Sequence, residues 1–315
     1  MSAEGMVGRA DMVVASMWDN RIRWSRAADS LKRRIVRARA AVLCLSSAGA
    51  IAATLAATLL ETPGAPRVVA ATTGAVCLGL ATVVSAMYLT AEAIRRWTRA
   101  RATSEGIKQL VFRYRAGALP DRCGSALDRL QEEYAEIEEA SEDLLAIRAG
   151  LTFEVPAAPG PMSPQQYVRD RVEAQLSGYY LPRAEEHLAR ARRLRRLALT
   201  LSVVTAIVAA VAAGAAAQAG ASPSGLAPWV AVLTTLGGAV AAHRAACRYD
   251  FLAMSFAATA ARLQRHLNRW RSQGSPTDPA SWTRFVDDCE NAISAENASW
   301  MAKWSERTPT QPDSG

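Results

Sequence analysis

Lysine is almost missing from this chain. Of its 37 basic residues only Lys32, Lys108 and Lys303 are lysines. With the abundant alanine, that arginine bias fits the coding of a GC-rich genome. Histidine is as scarce, at three residues, and His187, His243 and His266 lie far apart with no Cys or Asp at metal-ligand spacing. The five cysteines, Cys44, Cys77, Cys123, Cys247 and Cys289, contain no Cys-x-x-Cys pair, which excludes a zinc pattern and a disulfide framework. No glycine-rich phosphate loop occurs, since Gly237-Gly238 sits inside an apolar run. Ser46, Ser47 and Ser85 have no accompanying His–Asp signature. The acidic run from Glu132 to Glu142 reads as a solvated helix face rather than a cation site. No apolar core followed by a small-residue cleavage site occurs in the first twelve residues, so no signal peptide is expected. These absences predict no cofactor, no metal site and no enzyme.

Charge is missing in a more telling way. None occurs from Ala40 to Leu60, from Val68 to Ala91, or from Leu197 to Ala242. Such runs point to a membrane. Four spans fit them, at about 40–60, 68–90, 197–217 and 226–242, because 21 helical residues cover roughly 31 Å, the hydrocarbon thickness. The first two are joined by Glu61-Thr62-Pro63-Gly64-Ala65-Pro66, and the last two by Gly220-Ala221-Ser222-Pro223-Ser224-Gly225. The alternative is a soluble bundle that buries two alanine-rich hairpins.

The net charge of +8 is placed at the span ends. Arg33 and Arg34 precede the first span, and Arg95 and Arg96 follow the second. Arg192, Arg193, Arg195 and Arg196 precede the third, and Arg244 and Arg248 follow the fourth. The two turns hold only Arg67. By the positive-inside rule both hairpin tips face out, and the N-terminus, the middle segment and the C-terminus are cytoplasmic. Abutting apolar spans, these cations predict contact with lipid headgroups and not with nucleic acid. Trp229, Trp97 and Tyr249 are placed as interface anchors.

The chain also reads twice. At an offset of 156, Ala102-Thr103 matches Ala258-Thr259, Ile107 matches Leu263, Val111 matches Leu267, and Arg113-Tyr114-Arg115 matches Arg269-Trp270-Arg271. The expected architecture is all-α: a first two-span unit at 1–155, a Pro-rich linker at 156–162, a second unit at 163–304 and a disordered tail at 305–315. Ser163 is the expected N-cap of a helix with Pro164 in its first turn and Gln166 at its third position. Pro182 is expected to kink or break that helix. Asp278-Pro279 starts another. Leu127, Leu130, Tyr134, Ile137, Ser141 and Leu144 form a heptad-like seam. Trp282, Phe285, Cys289, Ile293 and Trp300 share a face. Both helices are expected to pack on the cytoplasmic extensions of the spans or on other subunits.

Within the spans no Asp, Glu, Lys or Arg occurs, which argues against a proton-coupled transporter. Gly49 with Ala53, Ala70 with Gly74, and Ala210 with Gly214 form small-xxx-small stripes suited to close helix packing. Thr54, Thr58, Thr72, Thr73, Thr234 and Thr235 could line a narrow polar path or bond their own backbone carbonyls.

Residues Tyr167 to Tyr180 read Tyr-Val-Arg-Asp-Arg-Val-Glu-Ala-Gln-Leu-Ser-Gly-Tyr-Tyr. This stretch resembles the helix before the membrane hairpin in the SLATT family, the SMODS and SLOG-associating two-transmembrane effector domains. The family pattern, roughly Arg-x-x-x-Gln-Leu-x-x-Tyr before a basic helix, is met by Arg171, Gln175, Leu176, and Tyr179 or Tyr180. The family's closing helix is similar to the stretch holding Asp287, Glu290, Glu296 and Trp300. The first half matches only in layout, which would make a tandem two-copy form. The resemblance implies a contact set of Arg171, Gln175, Leu176, Tyr179, Tyr180, Glu290, Glu296 and Trp300. It implies a bacterial inner-membrane effector that oligomerises and permeabilises the membrane on a cytoplasmic signal in an anti-phage system. A nucleotide-synthesising or nucleotide-sensing protein would be its partner. The alternatives are a non-enzymatic membrane scaffold that docks a cytoplasmic partner, and, more weakly, a small-molecule transporter.

Overall fold

The computed structural model describes residues 3–58, 64–119, 125–148, 156–219 and 226–305. The fold is all-α, with no strand among the described residues. The helices are α1 (Ala3–Thr58), α2 (Ala65–Tyr88), α3 (Ala91–Arg115), α4 (Ala126–Glu139), the short α5 (Leu145–Arg148), α6 (Pro164–Tyr167), α7 (Leu181–Ala219), α8 (Ala227–Cys247), α9 (Tyr249–Ser272) and α10 (Pro279–Ser305). The inter-span turns at 59–63 and 220–225, Cys123, and the expected tail beyond Ser305 lie outside the described residues.

Contacts divide the chain into two compact units that cut across its two halves. One is a helical bundle of Met1–Arg33, Ala91–Ala184 and Met254–Gly315; the other is an apolar unit of Arg34–Thr90 and Glu185–Ala253. The repeat is a division of sequence, whereas each compact unit takes segments from both copies.

The apolar unit supplies the apolar stretches of four helices long and apolar enough to cross a membrane. In the most apolar window of each, 6% to 17% of residues are buried. Val68, Val69, Val83 and Met87 on α2, and Leu199, Val203, Ile207 and Val211 on α7, are more than half exposed. A soluble protein rarely leaves so large a continuous apolar surface in water. That exposure removes the soluble-bundle alternative, which required these faces to be buried.

Within this unit α1 and α2 approach closely at small residues. A Cβ on Gly74 would lie 3.1 Å from the Ala53 nitrogen and 3.2 Å from the Gly49 carbonyl oxygen. A Cβ on Gly49 would lie 2.9 Å from Leu78 Cγ. Only glycine fits such a crossing without displacing a neighbour. By contrast, among the described residues nothing stands within 4 Å of a Cβ at Gly214. The span hydroxyls bond within their own helices: Thr54 donates to the Ala50 carbonyl at 3.0 Å, Thr72 to Val68 at 2.8 Å, Thr234 to Val230 at 2.8 Å and Thr235 to Ala231 at 2.8 Å.

The bundle has a core that the sequence pattern anticipates. The offset pairs Ile107 and Leu263, Val111 and Leu267, and Thr103 and Thr259 are all buried. Helices α3 and α9 also end alike. Gly117 and Gly274 adopt positive φ of 65° and 81°. The next residue in each, Ala118 and Ser275, donates its N–H back to Arg113 and Trp270, at 2.9 and 3.0 Å. This left-handed cap favours glycine.

Helices α4 and α10 both pack on α3, so the closing helices cover the span extensions. Leu130, Ser141 and Leu144 of the seam are buried, and Ser141 shares a 2.6 Å hydrogen bond with Thr103. Trp282, Phe285, Cys289 and Ile293 are buried on α10. Arg113 of α3 ties both helices down, reaching Glu133 at 3.2 Å and Asp287 at 2.9 Å. Trp97, placed as an interface anchor from sequence, is instead 5% exposed in this bundle. Its position just past the second span is also the start of α3's packed face.

Candidate functional site

The family-like residues are built on one long helical stretch. Ser163 caps it as the sequence predicts. The Gln166 N–H donates to Ser163 Oγ at 3.2 Å, and the Ser163 N–H donates to Gln166 Oε1 at 2.9 Å. At the next helix start, the Ser281 N–H donates to Asp278 Oδ1 at 3.0 Å, completing the expected cap of α10. The linker before Ser163 is held as well, by the Met162 N–H donating to the Arg115 carbonyl at 2.8 Å.

Pro182 does not break the helix. Residues 164–217 run as one helical stretch, and the turns at Val168–Glu173 and Leu176–Tyr180 wind as π-helix. The Leu181 N–H reaches back to the Leu176 carbonyl. This wider turn just before Pro182 accommodates a residue that lacks a donor and whose ring crowds the preceding turn of an ordinary helix.

The π-wound stretch carries Arg171 into the core, where 1% of its side chain is exposed. Its Nε donates to Glu290 Oε1 at 2.8 Å, and a terminal nitrogen donates to Oε2 at 2.7 Å. The Tyr167 hydroxyl donates to Glu290 Oε1 at 3.0 Å. The Arg171 guanidinium lies 4.3 Å from the Phe112 ring centroid of α3. Tyr167 packs edge-on to Trp282 at 5.6 Å, and Trp282 Nε1 donates to the Ala116 carbonyl at 2.7 Å. Burial, reinforced by Glu290, drives the Tyr167 hydroxyl well above its ordinary pKa and keeps it a donor. Burial also pushes the Cys289 thiol up. For Arg171, burial is outweighed by Glu290, and its pKa is raised.

The other family-like residues separate into two groups. Leu176 and Tyr180 are buried, and Tyr179 packs edge-on to Phe256 at 5.8 Å. Gln175, Tyr179 and Tyr180 also line a cleft of about 190 Å³, together with Arg21, Arg101, Glu105 and Lys108. The side chains of Glu296 and Trp300 lie outside the described residues, although both positions fall within α10.

The cleft gathers cations from separate segments. Arg101 donates to the Tyr179 hydroxyl at 3.0 Å. Glu105 is 3.9 Å from Arg101 and 3.7 Å from Lys108, beyond hydrogen-bond contact. Arg21 stacks on Trp18 at 4.8 Å. Its Nε is buried with no hydrogen-bond partner among the described residues. Burial, followed by Arg171 and Arg21, pushes the Lys108 ammonium down to about 8 despite the opposing effect of Glu105. Sequence reading missed Arg21, Arg101, Glu105 and Lys108. The signal was thin: Lys108 is one of three lysines in an arginine-rich chain.

The arginines that the sequence places at the span ends are exposed or ion-paired. Arg33, Arg34, Arg192, Arg193, Arg195 and Arg196 all face out, while Arg95 and Arg96 share the Glu92 carboxylate at 2.6 and 2.8 Å.

Residues 167–300 match the family model described as SMODS and SLOG-associating 2TM effector domain 1. The second half of the chain is therefore similar to the SLATT family. Residues 22–120 match another family model, described as a protein of unknown function, DUF4231. No curated protein and no solved structure matches the chain significantly. The SLATT match begins at Tyr167 and so takes in Arg171, Gln175, Leu176, Tyr179, Tyr180 and Glu290. With four helices long and apolar enough to cross a membrane, the chain is a multi-pass membrane protein.

Proposed function

We propose that this protein is a non-enzymatic membrane effector of a bacterial defence system, which oligomerises in the inner membrane and permeabilises it on a cytoplasmic signal. The SLATT match over residues 167–300 carries this reading. The helical bundle receives the signal, from a nucleotide-synthesising or nucleotide-sensing partner, and the apolar unit acts on the bilayer. Both termini face the cytoplasm, with the arginine flanks held at anionic headgroups.

Assembly between copies is assigned to Ala210 and Gly214. Gly214 is open among the described residues, in contrast to Gly74, and small-residue stripes favour close helix association in lipid. Because Thr54, Thr72, Thr234 and Thr235 bond their own helices, a conducting path is a property of the oligomer and not of one chain.

The test is dye release from liposomes containing the purified full chain. Release that depends on protein density supports the effector. Intact liposomes at every density, even with a cognate partner added, would leave the membrane scaffold as the better reading.

A further inference from the structure

Among the described residues, the bundle cleft is lined by more cations than carboxylates. Arg21, Arg101 and Lys108 line it against a single carboxylate, Glu105, and Gln175 and Tyr179 supply polar groups beside them. Glu105 stands too far from Arg101 and Lys108 to hydrogen-bond either one. Nearby, Glu290 is already engaged by two nitrogens of Arg171 and by the Tyr167 hydroxyl. Buried cations normally find paired acceptors. Arg21 instead keeps a buried Nε without a partner. Lys108 is held below its ordinary value first by burial, with Arg171 and Arg21 adding to it.

We propose that this cleft binds a phosphate-bearing anion, held by Arg21, Arg101 and Lys108. The three donors come from two helices, α1 and α3, and converge on one space of about 190 Å³. Lys108, Glu105 and Arg101 keep 15%, 19% and 27% of their side chains exposed, so the space is reachable from solvent. Arginine and lysine together are suited to phosphate, the first as a planar fork and the second as a point charge. Glu105 restrains the site by opposing the ligand's charge. This inference stands apart from the effector reading, since a scaffold could hold the same ligand.

The test is calorimetric titration of inorganic pyrophosphate into the full chain in phosphatidylcholine nanodiscs at constant ionic strength. One saturable site is expected. Lys108→Gln and Arg21→Gln weaken it about tenfold, and Glu105→Gln tightens it several-fold. The tightening cannot come from misfolding. The exposed pair Arg192→Gln, Arg193→Gln leaves it unchanged. Nanodiscs doped with phosphatidylglycerol distinguish the sources. Loss of the pyrophosphate signal there identifies a lipid headgroup as occupant, and its persistence identifies a soluble phosphate compound. No binding to the native chain, or equal binding by Lys108→Gln, Glu105→Gln and the native chain, overturns the proposal.

Discussion

Arg171 and Glu290 lie 119 positions apart in the sequence and meet as a two-pronged ion pair with almost no solvent on either side chain. Phe112 stacks against the guanidinium and Tyr167 adds a third hydrogen bond to the carboxylate. The pair therefore joins the helix before the third span to the closing helix, across α3.

Breaking one side of that pair should be severe. Glu290→Ala leaves a buried guanidinium uncompensated and is expected to cost about 3–5 kcal/mol. The combined change Arg171→Met, Glu290→Leu should cost clearly less than the two single changes added together. Thermal unfolding of the detergent-solubilised full chain reads this directly. Additive losses would show that the two residues do not depend on each other.

The α1–α2 crossing predicts a contrast between glycines. Gly74→Val must push against the Ala53 and Gly49 backbone, and overpacking of this kind costs roughly 1–3 kcal/mol. Gly214→Val meets open space among the described residues and should leave monomer stability nearly unchanged. Unfolding in detergent under monomeric conditions separates them. Equal losses at both sites would contradict the described packing.

Lys108 gives the bundle a pH signature. Its folded pKa of about 8 lies below the ordinary 10.5, so the folded chain releases this proton before the unfolded chain does. The stability cost of charging Lys108 is fully present below pH 8 and is relieved as pH rises from about 8 to 10.5, by about 3 kcal/mol at most. The facing groups are Arg21, Arg101, Glu105, Tyr179 and Tyr180 of the cleft, with Arg171 and Glu290 also acting on Lys108. Sulfate, whose charge is constant there, should bind about tenfold more weakly at pH 9 than at pH 7. Lys108→Gln should flatten that dependence. An unchanged pH profile in Lys108→Gln would remove Lys108 from the site.

Orientation follows from the arginine flanks. In a cysteine-free background, Ala65→Cys should react with an impermeant maleimide in intact cells. Gln273→Cys should react only after lysis. The opposite pattern would invert the topology.

The spans were legible because a charge-free run of that length has few other uses, and Ser163-x-x-Gln166 and Asp278-Pro279 announced their helices by local chemistry. Leu130 and Leu144 were legible by spacing. What could not be read was long-range. Arg171 and Glu290 each stood out as family-like, but no local pattern pairs residues in different helices. The cleft needs Arg21, Lys108 and Gln175 brought together from three separate parts of the chain. The helix does not break at Pro182, because the local rule assumes an ordinary α turn and the π turn before it changes the geometry. Trp97 misled because a position beside a span can equally begin a packed helix.

The most direct test of the effector account is the membrane potential of cells induced to express the full chain, with phage challenge as the trigger. The account predicts that the native chain collapses the potential, while the Ala210→Leu, Gly214→Leu variant reaches the membrane and leaves the potential intact. A native chain that is present in the membrane yet holds the potential, both before and after challenge, would contradict it.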